Sequence, residues 1–590
     1  FYCIYIILVF FIGEEDLQMK FKKFLAMALI GTMTISLAAC GSSGNTGDAN
    51  ATEQSQTESN SEFDTLVVSV NELNGIFNPL FYTTAFDSYI FGPVFSSVSI
   101  LDDDNNLIDD AGNISTKEIK DDTGNTTQVE YTVKLKEGMT FSDGKPVTID
   151  DYIFTLYAQL DPAYDGMSTL STLNIQGLKE YKEGGDAVTE ISGIKKVDDL
   201  TATITVDGVN IIGDKLLAQQ PILPKHYYGV AEDGTEYKKG DMTVLKSRNT
   251  LPMGSGPYVF KSYDNNIVTL EANNNYFKVA PKTPNLKFQV VAEANKVDVV
   301  AKGEIDISDP SASKETMARL EAEGIEYNLT DNNGYGYIGI DANRISDINV
   351  RKGLMHLMNR EPAIKSYYGD LAEVLERPMT STLPEYPQDA EPYYPYDKAK
   401  ALEYFTAAGY KKDANGKLVD ENGNQLKVEV GVGDLKSHPT AGIFSQMKID
   451  MEEMGAELIV SDLQFNVLSD RMNSGDLDMF ALAWGNSNNC DLTQIFHSSS
   501  ADGAGSNRYN LKNPEVDKLI EEVAVTLDLE KRKELVAKEL DLIMENAVVM
   551  PVYQRKNLNI FSENVKIDTV YRSDSPYHTF RDEYYAIEMK

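Results

Sequence analysis

Cysteine is scarce in this chain. Three stand among 590 residues, and two of them, Cys3 and Cys40, fall within the first forty. The remaining body has Cys490 alone, which excludes a framework of intrachain disulfides. Such a body must hold itself together through the size of its core. Histidine is equally thin, with five residues: His226, His356, His438, His497 and His578. None forms an HExxH pair, and no Cys/His cluster has zinc spacing. A GxSxG nucleophile elbow and a GxxxxGK[ST] phosphate loop are missing too. Basic residues number 54 against 91 acids, for a net charge of −37. A chain this acidic repels a phosphate backbone, which argues against general nucleic-acid binding. Among so many acids a carboxylate pair carries no catalytic information. The sequence offers no enzyme constellation, no cofactor motif and no metal site.

Apolar residues make up 42% of the chain and charged ones 25%, which is ordinary globular composition. The first sixty residues differ from the rest. Met19-Lys20-Phe21-Lys22-Lys23 leads into a largely apolar run from Phe24 to Leu37, closed by Ala38-Ala39-Cys40-Gly41. A basic start, an apolar middle and small residues before a cleavage point form an export signal. The apolar run is too short for a membrane span, which needs ~20 residues. Its ending resembles a bacterial lipoprotein signal, which implies that Cys40 is lipidated and becomes the new first residue. Phe1 to Gln18 is expected to be translated leader upstream of a true start at Met19. Gly41 to Glu62 holds no aromatic and no apolar residue larger than alanine, so it is expected to be a flexible tether.

From Phe63 onward, strand and helix signals alternate. Strands are expected at 65–70, 131–135, 201–206, 335–340, 428–432 and 457–460. Helices are expected at 147–159, with Thr148 as cap and Asp150 and Asp151 in the first turn, and at 350–359, 397–408 and 514–537. Mixing of this kind implies an α/β architecture. The runs 121–125 and 420–424 suit hairpin turns. The runs 102–106 and 413–416 supply oxygen ligands, but neither completes a calcium loop with a twelfth-position glutamate, so turns are favoured there as well. His356, set among Leu354, Met355, Leu357 and Met358, is expected to be a core histidine.

Several ordered segments then narrow the reading. The densest is Tyr131 to Phe154, YTVKLKEGMTFSDGKPVTIDDYIF. Others are Gly254-Ser255-Gly256-Pro257-Tyr258 with Asn275-Tyr276-Phe277, and Gly303-Glu304-Ile305-Asp306. Val350-Arg351-Lys352-Gly353-Leu354 with Asn359-Arg360-Glu361 follows, then Tyr396 to Ala401 with Ala407 to Tyr410. The last set is Asp478-Met479 with Trp484-Gly485, Phe496-His497-Ser498, Tyr509-Asn510 and Asn513-Pro514-Glu515. In order and spacing this set resembles extracytoplasmic solute-binding proteins of family 5, the peptide receptors of ABC importers. The resemblance implies a bilobal periplasmic-binding-protein-like fold of type II, in its large three-subdomain variant, with a central ligand cleft and a hinge. It implies a first lobe over 63–325 with an inserted subdomain at about 96–246, a second lobe over 326–555, and a return to the first over 556–590. The Phe-Ser-Asp-Gly motif falls in the insertion and is expected to be structural. The partners implied are a small peptide or other polar solute, ABC permease subunits and, through lipid on Cys40, the extracellular face of a membrane. The receptor would be a monomer.

The family pattern suggests ligand-lining positions. Gly485, Asn486 and Ser487 are expected to touch ligand, and Trp484, the only tryptophan, either stacks on it or belongs to the core. Thr83 and Thr84 match the first-lobe cleft segment, Tyr337 and Tyr553 the lobe-crossing strands, and Asn507 is a further candidate. Ordinary packing is the alternative for each tyrosine in a chain that has 32. One departure matters. Peptide receptors of the family carry an aspartate three residues after the tryptophan, holding the peptide ammonium, and Ser487 stands there. Either Asp491 substitutes, or no α-ammonium is held. Oligopeptide, a neutral polar solute such as oligosaccharide, and a non-transporting surface sensor all remain open.

Overall fold

A computed structural model describes residues 64–485 and 488–590. The signal, Cys40, the tether, Asn486 and Ser487 lie outside the described residues. No described helix is long and apolar enough to cross a membrane.

Twelve strands form one large sheet. Ten of them run in the order Glu457–Leu463, Lys427–Gly433, Met479–Trp484, Tyr335–Ile340, Val549–Phe561, Ile307–Ser308, Thr65–Val70, Asn285–Val290, Ile267–Ala272, Tyr258–Asp264. The thirteen-residue strand Val549–Phe561 is the seam. Its first part pairs with Tyr335–Ile340, and its last part pairs antiparallel with Glu326–Asp331 and with Ile307–Ser308. Its two ends enter different cores. Val549, Met550 and Val552 join a cluster with Ile338, Leu354, Phe405 and Phe444, whereas Phe561 joins Leu66, Phe77, Phe288 and Tyr584. The second cluster draws on both ends of the described chain, which makes that lobe discontinuous. A third core, from Val98 to Ile222, sits behind the four-stranded sheet that contains Gly112–Lys120, Thr126–Leu135, Ile194–Lys196 and Thr201–Asp207.

Local chemistry explains many element ends. The helix Ile149–Leu160 starts where the Asp151 carboxylate accepts bonds from the Thr148 amide and hydroxyl, both 2.9 Å. In the turns, Asp121, Asp413 and Asp420 each turn one carboxylate oxygen onto backbone amides two and four residues on, and Asp102 does the same at 102–106. These carboxylates are thus turn formers, and no group of three or more metal-ligating side chains is found among the described residues. His356 is buried, with Nδ1 2.8 Å from the Pro395 carbonyl. Two expectations need correction. The stretch 514–537 is two helices, Pro514–Ala524 and Leu529–Glu545, because Asp528 starts a new one by accepting from the Lys531 amide. The helix expected over 350–359 is Ile348–Met355, and a separate helix, Arg360–Tyr368, begins just after the expected end.

The Phe-Ser-Asp-Gly segment is an architectural joint. Phe141 is fully buried, Gly144 has φ +84°, and the Ser142 amide donates to the Gly254 carbonyl at 3.0 Å. Gly254 and Gly256 pass so close to Val94 and Pro93 that a Cβ would lie 2.4 and 2.6 Å from their carbonyl oxygens. The two sequence motifs thus meet in space, and both serve packing.

Candidate functional site

The lobes join where the Val549–Phe561 strand passes Tyr335–Ile340. Close approach there requires glycine. A Cβ on Gly336 would lie 2.2 Å from the Tyr553 ring, and one on Gly334 would lie 2.4 Å from the Trp484 carbonyl oxygen. Asp306, at the end of the Gly-Glu-Ile-Asp motif, clamps the first-lobe side. Its buried carboxyl accepts from the Val67 amide at 2.8 Å and the Ser562 hydroxyl at 2.9 Å, and burial pushes its pKa up.

A cavity of about 520 Å³ opens at this junction. Asn71 reaches it from the end of Thr65–Val70, Asp309 from the end of Ile307–Ser308, and Asn332 and Asn333 from the chain entering the second lobe. Arg555, Asn557 and Asn559 come from alternate positions of the long strand, and so from one face of it. Asn332 Nδ2 donates to Asn557 Oδ1 at 2.9 Å. Five asparagines, whose amides both donate and accept, share the lining with five charged side chains, a chemistry suited to polar, hydrogen-bonding ligands.

Cross-lobe hydrogen bonds surround the junction. Asn105 Nδ2 donates to the Asn488 carbonyl at 3.1 Å, and the Ile211 amide to the Ala524 carbonyl at 3.3 Å. Lys314 Nζ donates to the Ser366 carbonyl at 2.7 Å, and the Thr382 and Tyr577 hydroxyls lie 3.1 Å apart. The lobes are therefore in contact around the cavity.

The residues singled out in the sequence fall into three groups. Tyr553 sits at the crossing, half-buried, on the strand face that Arg555 shares, its ring centroid 5.1 Å from that of Tyr368. Trp484 ends the strand beside it, half-buried against the core that contains Ile338 and Phe405, and Gly485 follows, exposed. Thr83 and Thr84 lie just before the helix Ala85–Phe91, whose Phe86 and Tyr89 line the cavity. Thr84 is the helix cap, accepting from the Asp87 amide, and exposed Thr83 accepts from Asn74 Nδ2 at 2.8 Å. Tyr337 and Asn507 do not line this cavity. Tyr337 is buried between Tyr335, Phe480 and Tyr509, and burial raises its hydroxyl pKa. Asn507 is buried with Nδ2 donating to the carbonyls of Phe496, His497 and Leu511, which makes it a loop clamp. Asn486 and Ser487 lie outside the described residues. Asp491, the suggested substitute, accepts from the Thr493 amide at 2.9 Å at the start of a short helix. Cys490 is buried, with its thiol pKa pushed up by burial.

Asn71, Asp309, Asn332, Arg555 and Asn557 were not singled out in the sequence. Only Asp309 had a nearby signal, the motif ending at Asp306. The others converge from segments 71, 332 and 555–557, and no local pattern announces that.

Comparison with known proteins agrees with this architecture. Residues 120–506 match the model described as bacterial extracellular solute-binding proteins, family 5 middle. The oligopeptide-binding protein AppA of Bacillus subtilis is 25% identical over 584 residues, covering 96% of this chain and 98% of that protein. The structure of AppA from Bacillus subtilis in complex with a nonapeptide superposes with a TM-score of 0.64 at 22% identity, covering 89% of this chain and 99% of the other. Heme-binding protein A of Haemophilus influenzae is 23% identical, covering 74% of this chain and 78% of that protein. Two lobes joined by crossing strands, a polar cavity at the junction and a family match over most of its length together identify the chain as a member of the bacterial extracellular solute-binding proteins, family 5.

Proposed function

We propose that this chain is a lipid-anchored extracellular receptor that captures oligopeptides at the lobe junction and presents them to an ABC importer. The observation that carries the reading is the amide-lined cavity at the crossing strands, with contacts from both lobes around it. A ligand that touches both lobes favours the closed arrangement by its differential affinity for it. An extended peptide suits such a lining because its backbone offers donors and acceptors at every residue. The division into lobes at 63–325, 326–555 and 556–590, with the insertion at about 96–246, follows from the same reading and places the hinge in the crossing strands. Two acyl chains on Cys40 would give stable attachment to the outer face of a membrane, and the receptor would act as a monomer.

Native mass spectrometry of the protein purified from its own cells tests this. Co-purified masses that fragment into peptides support the reading, and a protein carrying only non-peptide ligands sinks it. The second reading is a neutral polar solute, such as an oligosaccharide. It is favoured by Ser487 standing where peptide receptors of the family have an acid, and a hexose ladder would establish it. A surface sensor on the same scaffold is the third, favoured by an empty cavity. Cys40→Ala is expected to release the protein into the medium, and retention in the membrane fraction would refute the anchor.

A further inference from the structure

Four aspartate-led turns are built alike among the described residues. At 102–106, 121–125, 413–417 and 420–424 the leading carboxylate takes the amides two and four residues on. In each turn the first amide donates to the fifth carbonyl at 2.8–2.9 Å, and the fourth amide to the first carbonyl at 3.0–3.2 Å. The fourth residue is left-handed every time, with φ between +65° and +89°. Three of the turns place glycine there, the residue that adopts this conformation at least cost. Gly124, Gly416 and Gly423 are exposed, and a Cβ on any of them would meet nothing within 4 Å. The remaining turn has Asn105.

Asn105 also differs in its surroundings. Its turn joins the strands Ser99–Leu101 and Leu107–Asp109 of the inserted subdomain. The residue is 4% exposed, and its Nδ2 donates at 3.1 Å to the Asn488 carbonyl of the second lobe, 383 residues away in the chain. Its Oδ1 is buried without a partner, which carries a desolvation cost. The turn does not need this side chain, since glycine closes the same turn three times elsewhere. What the amide supplies is the contact with the other lobe. The turn is braced from behind as well. Asp103 Oδ2 accepts from the Tyr571 hydroxyl and the Asp103 carbonyl from the Ser575 hydroxyl, both at 2.7 Å. On the opposite side, Asn488 stands four residues past Trp484, the end of the strand beside the crossing.

We infer that Asn105 is a latch by which the inserted subdomain holds the second lobe, so that the insertion, together with the hinge, sets how readily the receptor closes. Asn105 is thus a positioning residue and not a ligand contact. The inference rests on the reading of the chain as a two-lobed receptor that closes on its ligand. A hydrogen bond between neutral groups shifts such an equilibrium by about 2- to 10-fold.

The full chain, emptied by mild denaturation and refolding, is compared with Asn105→Gly and Asn105→Asp. Asn105→Gly installs the residue that the other three turns use, so the turn is kept and the amide alone is lost. Asn105→Asp sets a carboxylate against the Asn488 carbonyl. Circular dichroism and melting temperature check that each variant is folded. The empty proteins are followed by their radius of gyration in small-angle scattering and by acrylamide quenching of Trp484, the only tryptophan. Both are expected to rise in Asn105→Gly and to rise further in Asn105→Asp. Dissociation of a random nonapeptide pool is expected to be ~2- to 10-fold faster from Asn105→Gly than from the parent. A larger radius or faster dissociation upholds the latch, and both unmoved in both variants overturns it. Quenching that rises alone would confine Asn105 to local packing at Asn488, and it overturns the latch too. If the pool binds neither parent nor variant, the peptide reading fails by itself, and scattering from the empty proteins alone decides the latch.

Discussion

Asp151 in the inserted subdomain and Glu539 in the second lobe are both buried carboxylates on helices, and their surroundings are opposite. Asp151 accepts from the Thr148 amide and hydroxyl with one oxygen and from the Lys225 amide at 2.9 Å with the other. Glu539 is fully buried on Leu529–Glu545, and neither of its oxygens has a partner among the described residues. Burial, followed by the nearby Asp491 charge, pushes its pKa well above the ordinary 4.5. The first acid belongs to the densest sequence motif and holds the fold. The second belongs to no motif and is a cost the second lobe carries beside the Cys490–Asp491 loop. Motif density here marks architecture, and the region that faces the other lobe is motif-poor.

Three measurements break or sharpen this contrast. The largest effect is expected from Asp151→Ala, which strands three donors at a buried helix start. A loss of ~3 kcal/mol in urea unfolding is expected, since each buried group left unpaired costs about 1–3 kcal/mol. A loss below about 1 kcal/mol would deny the motif its structural role. Next comes Glu539→Gln. A carboxyl whose folded pKa is raised contributes its full stability below the unfolded pKa and loses it as pH rises through the folded value. The parent should therefore lose stability relative to the variant as pH rises above the ordinary carboxyl range, and the variant should be the more stable on the alkaline side. Thermal unfolding across that range checks it, and parallel curves would mean that Glu539 finds a partner. The smallest effect is expected from Asp413→Ala, where an exposed turn former is removed. A change of ~0.5 kcal/mol is expected, with added calcium leaving the melting temperature of the parent unmoved.

Much of the framework is legible in the sequence because it is local. The strand 65–70, the Thr148 cap, the turn at 420–424 and the core position of His356 all follow from periodicity and from short-range hydrogen bonding. The two helices within 514–537 escaped because Asp528 reads as one more polar residue on an amphipathic stretch until its side chain is seen on the Lys531 amide. Tyr337 and Asn507 were not separable from core residues in the sequence for a different reason. Tyrosine and asparagine serve a cleft and a core equally well, and only packing separates the cases. Tyr337 has Phe480 and Tyr509 around it, and Asn507 has its amide taken up by three carbonyls.

By itself the sequence determined the α/β alternation, the absence of disulfides in the body and the ordered segments that resemble family 5. Each depends on residues near one another in the chain. The cavity at the lobe junction was decided only by the tertiary structure. Asn71, Asp309, Asn332 and Arg555 come from separate segments of the chain and meet because one long strand is shared by two lobes.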